Sequence, residues 1–293
     1  MFLVFKFFIC RLGTGLTKIG NWEMRHIYAQ ALLFADDILL IADSEEKLQQ
    51  MVTEWTRWIE SKGMSLNPKK SKVMVISKKH DEGKIINIIC KNEQLEVVQQ
   101  YNYLGSALSQ DGKLDHEILN RVQKSMNAYY ALSQTIFGKK EIDKKTKCRL
   151  YNTVIEPILL YGSESWAAQE KHLSKVNAVQ MKVLRRISGK TKYDRVRNEK
   201  IRNELDEQSV SQKVAGKQLK WYGHVNRMEK SRKPKQYLHA RPEGKRLRGR
   251  QRFKYIDAIE QHGRKKGKTL REMESLTKDR KAWRAFARTH PTP

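Results

Sequence analysis

The chain has 293 residues, of which 39% are hydrophobic and 31% charged, and 59 lysines and arginines against 32 aspartates and glutamates give a net charge of +27. This balance argues against an acidic soluble enzyme and favours a polyanionic partner, either nucleic acid or an anionic membrane surface. Three widely separated cysteines, Cys10, Cys90 and Cys148, exclude a disulfide scaffold and a zinc knuckle, and no apolar run reaches the roughly 18 residues of a membrane-spanning helix.

The first ten residues, MFLVFKFFIC, are apolar apart from Lys6. A secretory signal would have its positive charge before the apolar run, whereas here the lysine lies inside it. We therefore expect that the protein is not secreted. The segment is either a buried strand or sequence placed upstream of an interrupted domain.

Residues 28–41, YAQALLFADDILLI, contain the first chemical signal. Asp36 and Asp37 separate two apolar runs, which predicts a buried β-hairpin with the aspartates at its tip. Adjacent carboxylates repel each other, and burying them is costly unless a cation compensates, so a divalent metal is the natural partner. The alternative is an ordinary acidic turn exposed to water.

A helix of about 18 residues should follow this hairpin, capped by Asp43 or Ser44 and ended near Gly63. One apolar face of that helix is predicted from five residues at helical spacing: Leu48, Met51, Val52, Trp55 and Ile59. The chain then predicts a turn over GMSLNPKKSK, a strand over 73–76, and a further hairpin suggested by the turn dipeptide at 111–112.

The order FADDILLIAD, helix, GMSLNPKKSK, YNYLG resembles the second half of a reverse transcriptase palm, specifically that of the non-LTR (LINE-type) retrotransposon enzymes. The resemblance implies that Asp36 and Asp37 are the catalytic, metal-binding residues of a Mg²⁺-dependent nucleotidyl transfer. It implies that Lys70 binds near the phosphates of the incoming nucleotide. It also implies that Tyr103, Leu104 and Gly105 form the primer grip.

The second of these motifs departs from the family pattern at one position. The pattern G-L-x-x-N-x-x-K-[ST] corresponds to Gly63, Asn67, Lys70 and Ser71, and Met64 replaces the usual leucine. Further stretches also resemble the region that follows the palm in the same elements, namely TVIEPILLYGSESW, VLRRISG, WYGHVNRM and DRKAWR.

The resemblance also implies an earlier metal-binding aspartate, on a strand tens of residues before the hairpin. Glu23 is the sole carboxylate among residues 1–35, and its context, NWEM, does not match that motif. Loss of a metal-bridging carboxylate removes at least about 4 kcal/mol of transition-state stabilisation, or about 10³ in rate. We therefore expect the chain to be catalytically incomplete on its own.

Three helices are predicted after residue 115: one over 116–135, one that starts at Asp143 and is interrupted at Pro157, and one over 168–188. Arg185 and Arg186 fall in the last turn of the third. The position of this bundle after the palm matches a polymerase thumb, which would hold a duplex by its phosphates. The alternative is a solvated basic face.

The positive charge increases along the chain, from +1 over residues 1–115 to +18 over residues 191–293. Residues 230–268 predict a partly flexible basic arm, with Phe253 and Tyr255 available for stacking. Nuclear import is a compatible interpretation of the same cations. The candidate nucleic-acid-binding residues of this arm are Lys245, Arg246, Arg248, Arg250, Arg252 and Lys254.

Near the end of the chain, Trp221, Trp283 and Phe286 are expected to pack a small helical unit rather than to contact bases. His224, His239 and His262 lack partner cysteines, so a metal site there is not expected.

The predicted fold class is α+β: a truncated antiparallel palm, a helical thumb and a basic helical tail. The expected boundaries are 1–25 for a divergent N-terminus, 26–115 for the partial palm, 116–190 for the thumb and 191–293 for the basic region. One hypothesis is an incomplete RNA-directed DNA polymerase that binds an RNA template and a DNA primer or duplex. The other is a non-enzymatic nucleic-acid-binding protein derived from a retroelement. Either would be nuclear or cytoplasmic, with no membrane partner.

Overall fold

The computed structural model describes residues 7–10, 31–76, 86–240 and 253–288, and for 7–10 it gives the backbone alone. The chain divides into two compact units, one of residues 1–113 with 239–247 and one of residues 114–238 with 248–293. The first contains the described strands and the second is helical, so the fold mixes helix and strand, as the α+β prediction requires. None of the described helices combines the length and apolarity needed to cross a membrane.

The first unit is built on a five-stranded sheet with the order β2-β3-β1-β4-β7. Its strands are β1 (Phe7–Cys10), β2 (Ala31–Phe34), β3 (Asp37–Ala42), β4 (Lys72–Val75) and β7 (Glu96–Val97). Only β2 and β3 pair antiparallel; β1 runs parallel to both β3 and β4, and β4 runs parallel to β7. The prediction of an antiparallel sheet is therefore wrong for these three pairs, and the sheet is mixed.

Helix α1 (Glu45–Ser61) covers one face of this sheet. The Ser44 hydroxyl accepts a hydrogen bond from the Lys47 amide at 3.3 Å, and Gly63 adopts φ +70° beyond the last turn. Leu48, Val52 and Ile59 are buried against the sheet, and Met51 and Trp55 are partly buried beside them. The predicted helix, its cap and its apolar face are thus confirmed.

The aspartate hairpin is also confirmed, but its first strand is not buried. Leu32, Leu33 and Phe34 in β2 are 42%, 62% and 63% exposed, whereas Leu39 and Leu40 in β3 are buried. The prediction of two buried runs is wrong for β2 because that strand is the outermost of the five described strands and pairs with β3 alone.

Two smaller hairpins complete the described part of this unit. One joins β5 (Ile89–Cys90) to β6 (Glu93–Gln94), and the other joins β8 (Gln100–Tyr103) to β9 (Ser106–Ser109). The turn of the second lies at Leu104 and Gly105, both with positive φ, and not at Asp111–Gly112 as the turn dipeptide indicated. Asp111 instead follows β9 and accepts a hydrogen bond from the Ser109 hydroxyl at 2.7 Å.

The described part of the second unit contains helices at the three predicted places, followed by six further helices. The first group is α2 (Asp115–Leu132), α3 (Lys144–Leu150), α4 (Glu156–Leu159) and α5 (Glu170–Ser188). The helices that follow are α6 (Asn198–Glu204), α7 (Val210–Asn226), α8 (Lys233–His239), α9 (Tyr255–Arg264), α10 (Leu270–Leu276) and α11 (Arg280–Arg288). Asp143 caps α3 by accepting from the Thr146 amide at 3.1 Å, as predicted.

Pro157 does not interrupt the second predicted helix. A π-helical turn over Tyr151–Ile155 connects α3 to α4, and Pro157 lies in the first turn of α4, where its missing N–H is tolerated. The helix continues to Leu159, so the predicted interruption is wrong.

The expected flexible arm is in part helical, because α8 and α9 fall within residues 230–268. The Tyr255 hydroxyl donates to the Gln218 carbonyl at 3.2 Å and the ring packs with Leu219 and Ile259, so Tyr255 is not available for stacking. Trp283 is buried in this cluster and Phe286 packs on it, as predicted, whereas Trp221 is 37% exposed and does not fulfil that prediction.

Candidate functional site

The two hairpin aspartates differ in environment because one lies in the turn and the other in the strand that follows it. Ala35 and Asp36 form the two-residue turn, and Asp37 is the first residue of β3, paired with Phe34. Asp36 is exposed and Asp37 is half-buried. The alternation of a strand places Asp37 on the same face as Leu39 and opposite Leu40, which packs on α1.

The face that carries Asp37 is covered by the second hairpin. Leu39 and Met74 are buried there against Tyr101, Tyr103 and Leu108. Burial and, to a smaller extent, the negative charge of Asp37 raise the pKa of Tyr101 to about 12. The same two causes raise the pKa of Tyr103. Two protonated phenols and one carboxylate therefore share this face of the sheet.

Sequence reasoning included Tyr103 and missed Tyr101. The two tyrosines are two residues apart on β8, so they occupy the same face of the strand. This period-two spacing in YNY was the signal that could have added Tyr101 to the candidate site. Leu104 and Gly105, assigned to the primer grip, form the turn next to Tyr103, with φ +46° and +84°.

Lys70 lies in a compact turn that is stabilised by hydrogen bonds of two other residues of its motif, Asn67 and Ser71. The Asn67 side chain accepts from the Lys70 amide at 3.3 Å, and the Ser71 hydroxyl donates to the Asn67 carbonyl at 3.0 Å. Ser71 is buried, Pro68–Lys70 form one turn of 3₁₀ helix, and the Lys70 side chain is exposed. Asn67 and Ser71 therefore shape the backbone, and Lys70 is the member of the motif whose side chain is presented to solvent.

The carboxylates of the hairpin do not by themselves make a two-metal site. Mg²⁺ takes oxygen ligands in octahedral geometry, and bridging a pair of ions needs carboxylates from more than one strand. Within the described ranges no group of three or more His, Cys, Asp or Glu side chains is placed to hold a metal. On the side of β3 away from β2 lies β1, whose sequence is FFIC, so this neighbour contributes no carboxylate over Phe7–Cys10. The donor set at Asp36 and Asp37 is thus too small for the metal centre that the family implies.

The predicted phosphate-binding arginines of the second unit have different environments. Arg185 donates to the Asn198 side chain at 2.6 Å and to the Val196 carbonyl at 3.3 Å, so it stabilises the loop after α5. Arg186 is exposed. Both line a cleft of about 440 Å³ together with Lys182, Lys190 and Lys192.

The predicted basic arm lies almost wholly outside the described residues. The candidate residues that lie outside the described ranges are Lys245, Arg246, Arg248, Arg250 and Arg252. Lys254 is described: it is exposed and caps the start of α9, where its amide donates to Asp257 at 2.8 Å.

Comparisons with known proteins agree with the motifs. Residues 6–108 match the family model of the reverse transcriptase (RNA-dependent DNA polymerase). A transposon-derived protein of Caenorhabditis elegans is 27% identical over 270 residues, which cover 89% of this chain and 96% of that protein. No solved structure matches the chain.

Two further relatives are named as RNA-directed DNA polymerases from the mobile element jockey. The protein from Drosophila melanogaster is 24% identical over 200 residues, or 66% of this chain and 21% of the polymerase. The polymerase from Drosophila funebris is 23% identical over 174 residues, which cover 56% of this chain and 19% of that polymerase. The chain thus spans about one fifth of the length of these two polymerases. Residues 6–108 are thus similar to the reverse transcriptase family, and the chain is similar to proteins of non-LTR (LINE-type) retrotransposons.

Proposed function

We propose that the chain contributes the aspartate hairpin and a nucleic-acid-holding helical unit of a retrotransposon RNA-directed DNA polymerase. On its own it binds nucleic acid and does not extend a primer. The observation that carries this proposal is the contrast between the two units. The hairpin offers two adjacent carboxylates, whereas the helical unit contains most of the excess positive charge.

The aspartate hairpin supports the catalytic part of the proposal. Asp36 and Asp37 lie on one hairpin, and the covered face that holds Asp37 also carries Tyr101 and Tyr103. Two carboxylates on one hairpin leave most of the coordination sphere of a divalent ion to water, so Mg²⁺ should bind at millimolar concentration. Micromolar binding by calorimetry, abolished by Asp36→Asn, would show that further ligands complete the site.

The positive charge of the C-terminal region supports the binding part of the proposal. Phosphate contacts from lysine and arginine supply affinity without sequence information, which is what a polymerase needs to hold a template and primer of any sequence. Residues 191–293 carry a net charge of +18.

Primer extension tests the proposal directly. The chain is incubated with a primed RNA template, all four deoxynucleotides and either Mg²⁺ or Mn²⁺, beside a filter-binding assay on the same primer–template. We expect retention on the filter and no extension. The double variant Asp36→Asn, Asp37→Asn is the control, and it should bind as the unaltered chain does.

Template-dependent extension that the double variant abolishes would contradict the catalytic part. Failure to retain the primer–template at low salt would contradict the binding part. Binding without extension fits both an incomplete polymerase and the alternative, a retroelement-derived nucleic-acid-binding protein. Addition of a reverse transcriptase of the same family that carries the double asparagine change separates the two, since only a polymerase part can restore extension in trans.

A further inference from the structure

The helical unit contains a basic cleft of about 1010 Å³ between α7 and α11 that none of the predicted binding residues lines. Among the described residues, its lining has seven lysines and arginines and two glutamates. The basic side chains are Lys213, Lys217, Lys220, Arg227, Arg280, Arg284 and Arg288.

Three of these cations have partners within the protein. Lys213 pairs with both Glu156 and Glu207, which also neutralises one of the two glutamates of the cleft. Lys217 donates to the Leu160 carbonyl at 3.0 Å, and the Arg227 guanidinium donates to the Thr277 carbonyl at 3.1 Å. These three cations are therefore held by contacts within the protein.

The other four cations face solvent. Lys220, Arg280, Arg284 and Arg288 are exposed, and none of their side chains makes a hydrogen bond or ion pair with another residue in the described part of the chain. Burial and the nearby positive charge of Arg280 lower the pKa of Arg227. Like charges thus accumulate at one place, which an anion would stabilise.

The spacing of these residues follows from helical periodicity. Arg280, Arg284 and Arg288 recur every four residues, so they form one row along α11 with steps of about 6 Å. Lys213, Lys217 and Lys220 form a second row along α7, which continues to His224. The two rows line the same cleft.

An aromatic surface lies within the same cleft. Trp221 is 37% exposed and its ring lies 5.5 Å from that of His224, at 38° between the planes. A partly exposed indole among arginines and lysines is the arrangement that binds unpaired bases, because every base offers a flat face for stacking while cations hold the phosphates.

The packing of α11 against α7 fixes the distance between the two basic rows. Gly223 faces the Trp283 indole so closely that a Cβ at position 223 would lie 1.9 Å from Nε1. The same Nε1 donates to the Leu219 carbonyl at 3.1 Å. Helix α11 is therefore locked onto α7 through Trp283, and the cleft does not depend on a mobile loop.

We propose that this cleft binds single-stranded nucleic acid, with phosphates on Arg280, Arg284 and Lys220 and a base stacked on Trp221. The inference rests on the proposed nucleic-acid binding and assigns it to a surface outside the predicted arm. A single strand is preferred over a duplex because the bases of a duplex hide their faces within the stack.

The experiment measures fluorescence anisotropy of labelled dT20 against protein concentration at several salt concentrations. The test variant is Arg280→Ala with Arg284→Ala, and the control is Arg271→Ala with Lys281→Ala. The control removes the same charge from exposed positions of α10 and α11 that do not line the cleft. We expect the test variant to raise Kd at least about tenfold and to lower the salt slope by about 1.4, and the control to change Kd less than about threefold.

A separate set of variants tests whether a base stacks on Trp221. Trp221→Ala should raise Kd about tenfold, Trp221→Phe should stay within about threefold, and Tyr193→Ala should match the unaltered chain. Tyr193 is a suitable control because it is 94% exposed in the same unit and lies outside the cleft. Blunt duplex of the same length should bind more weakly than dT20, and Trp221→Ala should remove that preference.

The outcomes distinguish this inference from the proposed function. If the unaltered chain binds neither dT20 nor duplex, the proposed nucleic-acid binding itself is wrong. If the unaltered chain binds but the two charge-matched variants are equally weakened, the cleft is not the binding surface. If Trp221→Ala binds dT20 as tightly as the unaltered chain, no base stacks there.

Discussion

Ala35 has a left-handed backbone conformation at the tip of the aspartate hairpin, with φ +52°. This conformation costs an L-residue about 1–2 kcal/mol, whereas glycine adopts it freely. Since the Ala35 side chain is exposed, its removal sacrifices little packing. We expect Ala35→Gly to raise the free energy of unfolding by about 1 kcal/mol in urea denaturation.

The matched control for this prediction is Ala107→Gly in β9, where φ is not positive. The same chemical change should there lower the free energy of unfolding by about 0.5–1 kcal/mol, because glycine weakens a strand interior. If both variants are destabilised, the turn conformation at Ala35 is not strained.

His262 predicts a pH dependence of the stability of the helical unit. Burial, with a contribution from Lys265 and Lys266, lowers the pKa of His262 from 6.5 to about 4. Gln218 donates its amide to the Ser163 and Trp166 carbonyls, so its oxygen faces His262 and accepts from Nε2 at 2.8 Å. Neutral imidazole satisfies this contact, and protonation gains nothing there.

Because the pKa is lower in the folded state, the unfolded chain binds the proton more tightly. The stabilisation is fully present above pH 6.5 and is lost as the pH falls towards 4, by about 3 kcal/mol in total. Thermal unfolding at pH 7 and pH 5 should show a smaller decrease for His262→Gln than for the unaltered chain. Equal decreases would mean that carboxylates alone cause the acid sensitivity.

At the scale of elements, the contact between α7 and α11 depends on a glycine. The side chain of Ala at position 223 would overlap the Trp283 indole, which is buried and cannot rotate away without leaving its core. We expect Gly223→Ala to destabilise the helical unit by about 2–3 kcal/mol, as in other overpacked cores. Gly216→Ala is the matched control on the same helix, since a Cβ there meets nothing within 4 Å. It should stabilise α7 by up to about 1 kcal/mol, as measured by helical ellipticity during denaturation.

The elements that the sequence predicted well are those whose signals are local. Ser44 caps α1 and Gly63 ends it, and both signals lie in consecutive residues around the helix. The aspartate hairpin likewise follows from two apolar runs and a short polar break.

The elements that were mispredicted depend on what packs around them. The exposure of β2 depends on its outermost position among the described strands of the sheet, which hydrophobicity does not encode. The parallel pairing of β1 with β3 and β4 joins segments that are distant in sequence. At Pro157, a π-helical turn absorbs the irregularity that proline imposes, so the propensity rule alone gave the wrong boundary.

The same distinction applies to the candidate sites. Asp36, Asp37 and Lys70 are candidates that the sequence alone supplies, because motifs mark them. The cleft between α7 and α11 could not, because its two basic rows are separated by more than fifty residues and meet only through the packing of Trp283 on Gly223.

For the whole molecule, affinity for nucleic acid should depend strongly on salt and weakly on sequence. With six to ten phosphate contacts, log K for duplex DNA should fall with log salt at a slope of about −5 to −9. Unrelated sequences of equal length should bind within about tenfold of one another, since phosphate contacts carry no base information. A filter-binding titration checks both, and a shallow slope with hundredfold preference for one sequence would contradict them.

The exposed strand β2 predicts how the solubility of the protein should change when a polyanion is added. Leu32, Leu33 and Phe34 present apolar surface on the outermost described strand, and a net charge of +27 keeps free molecules apart by mutual repulsion. A bound polyanion would cancel that repulsion, so we expect molecules on one nucleic acid to associate through their exposed β2 strands. When nucleic acid is titrated into the protein, turbidity should therefore peak where the charges of the two balance. Leu33→Lys should lower that peak more than a single lysine added at an exposed position outside β2.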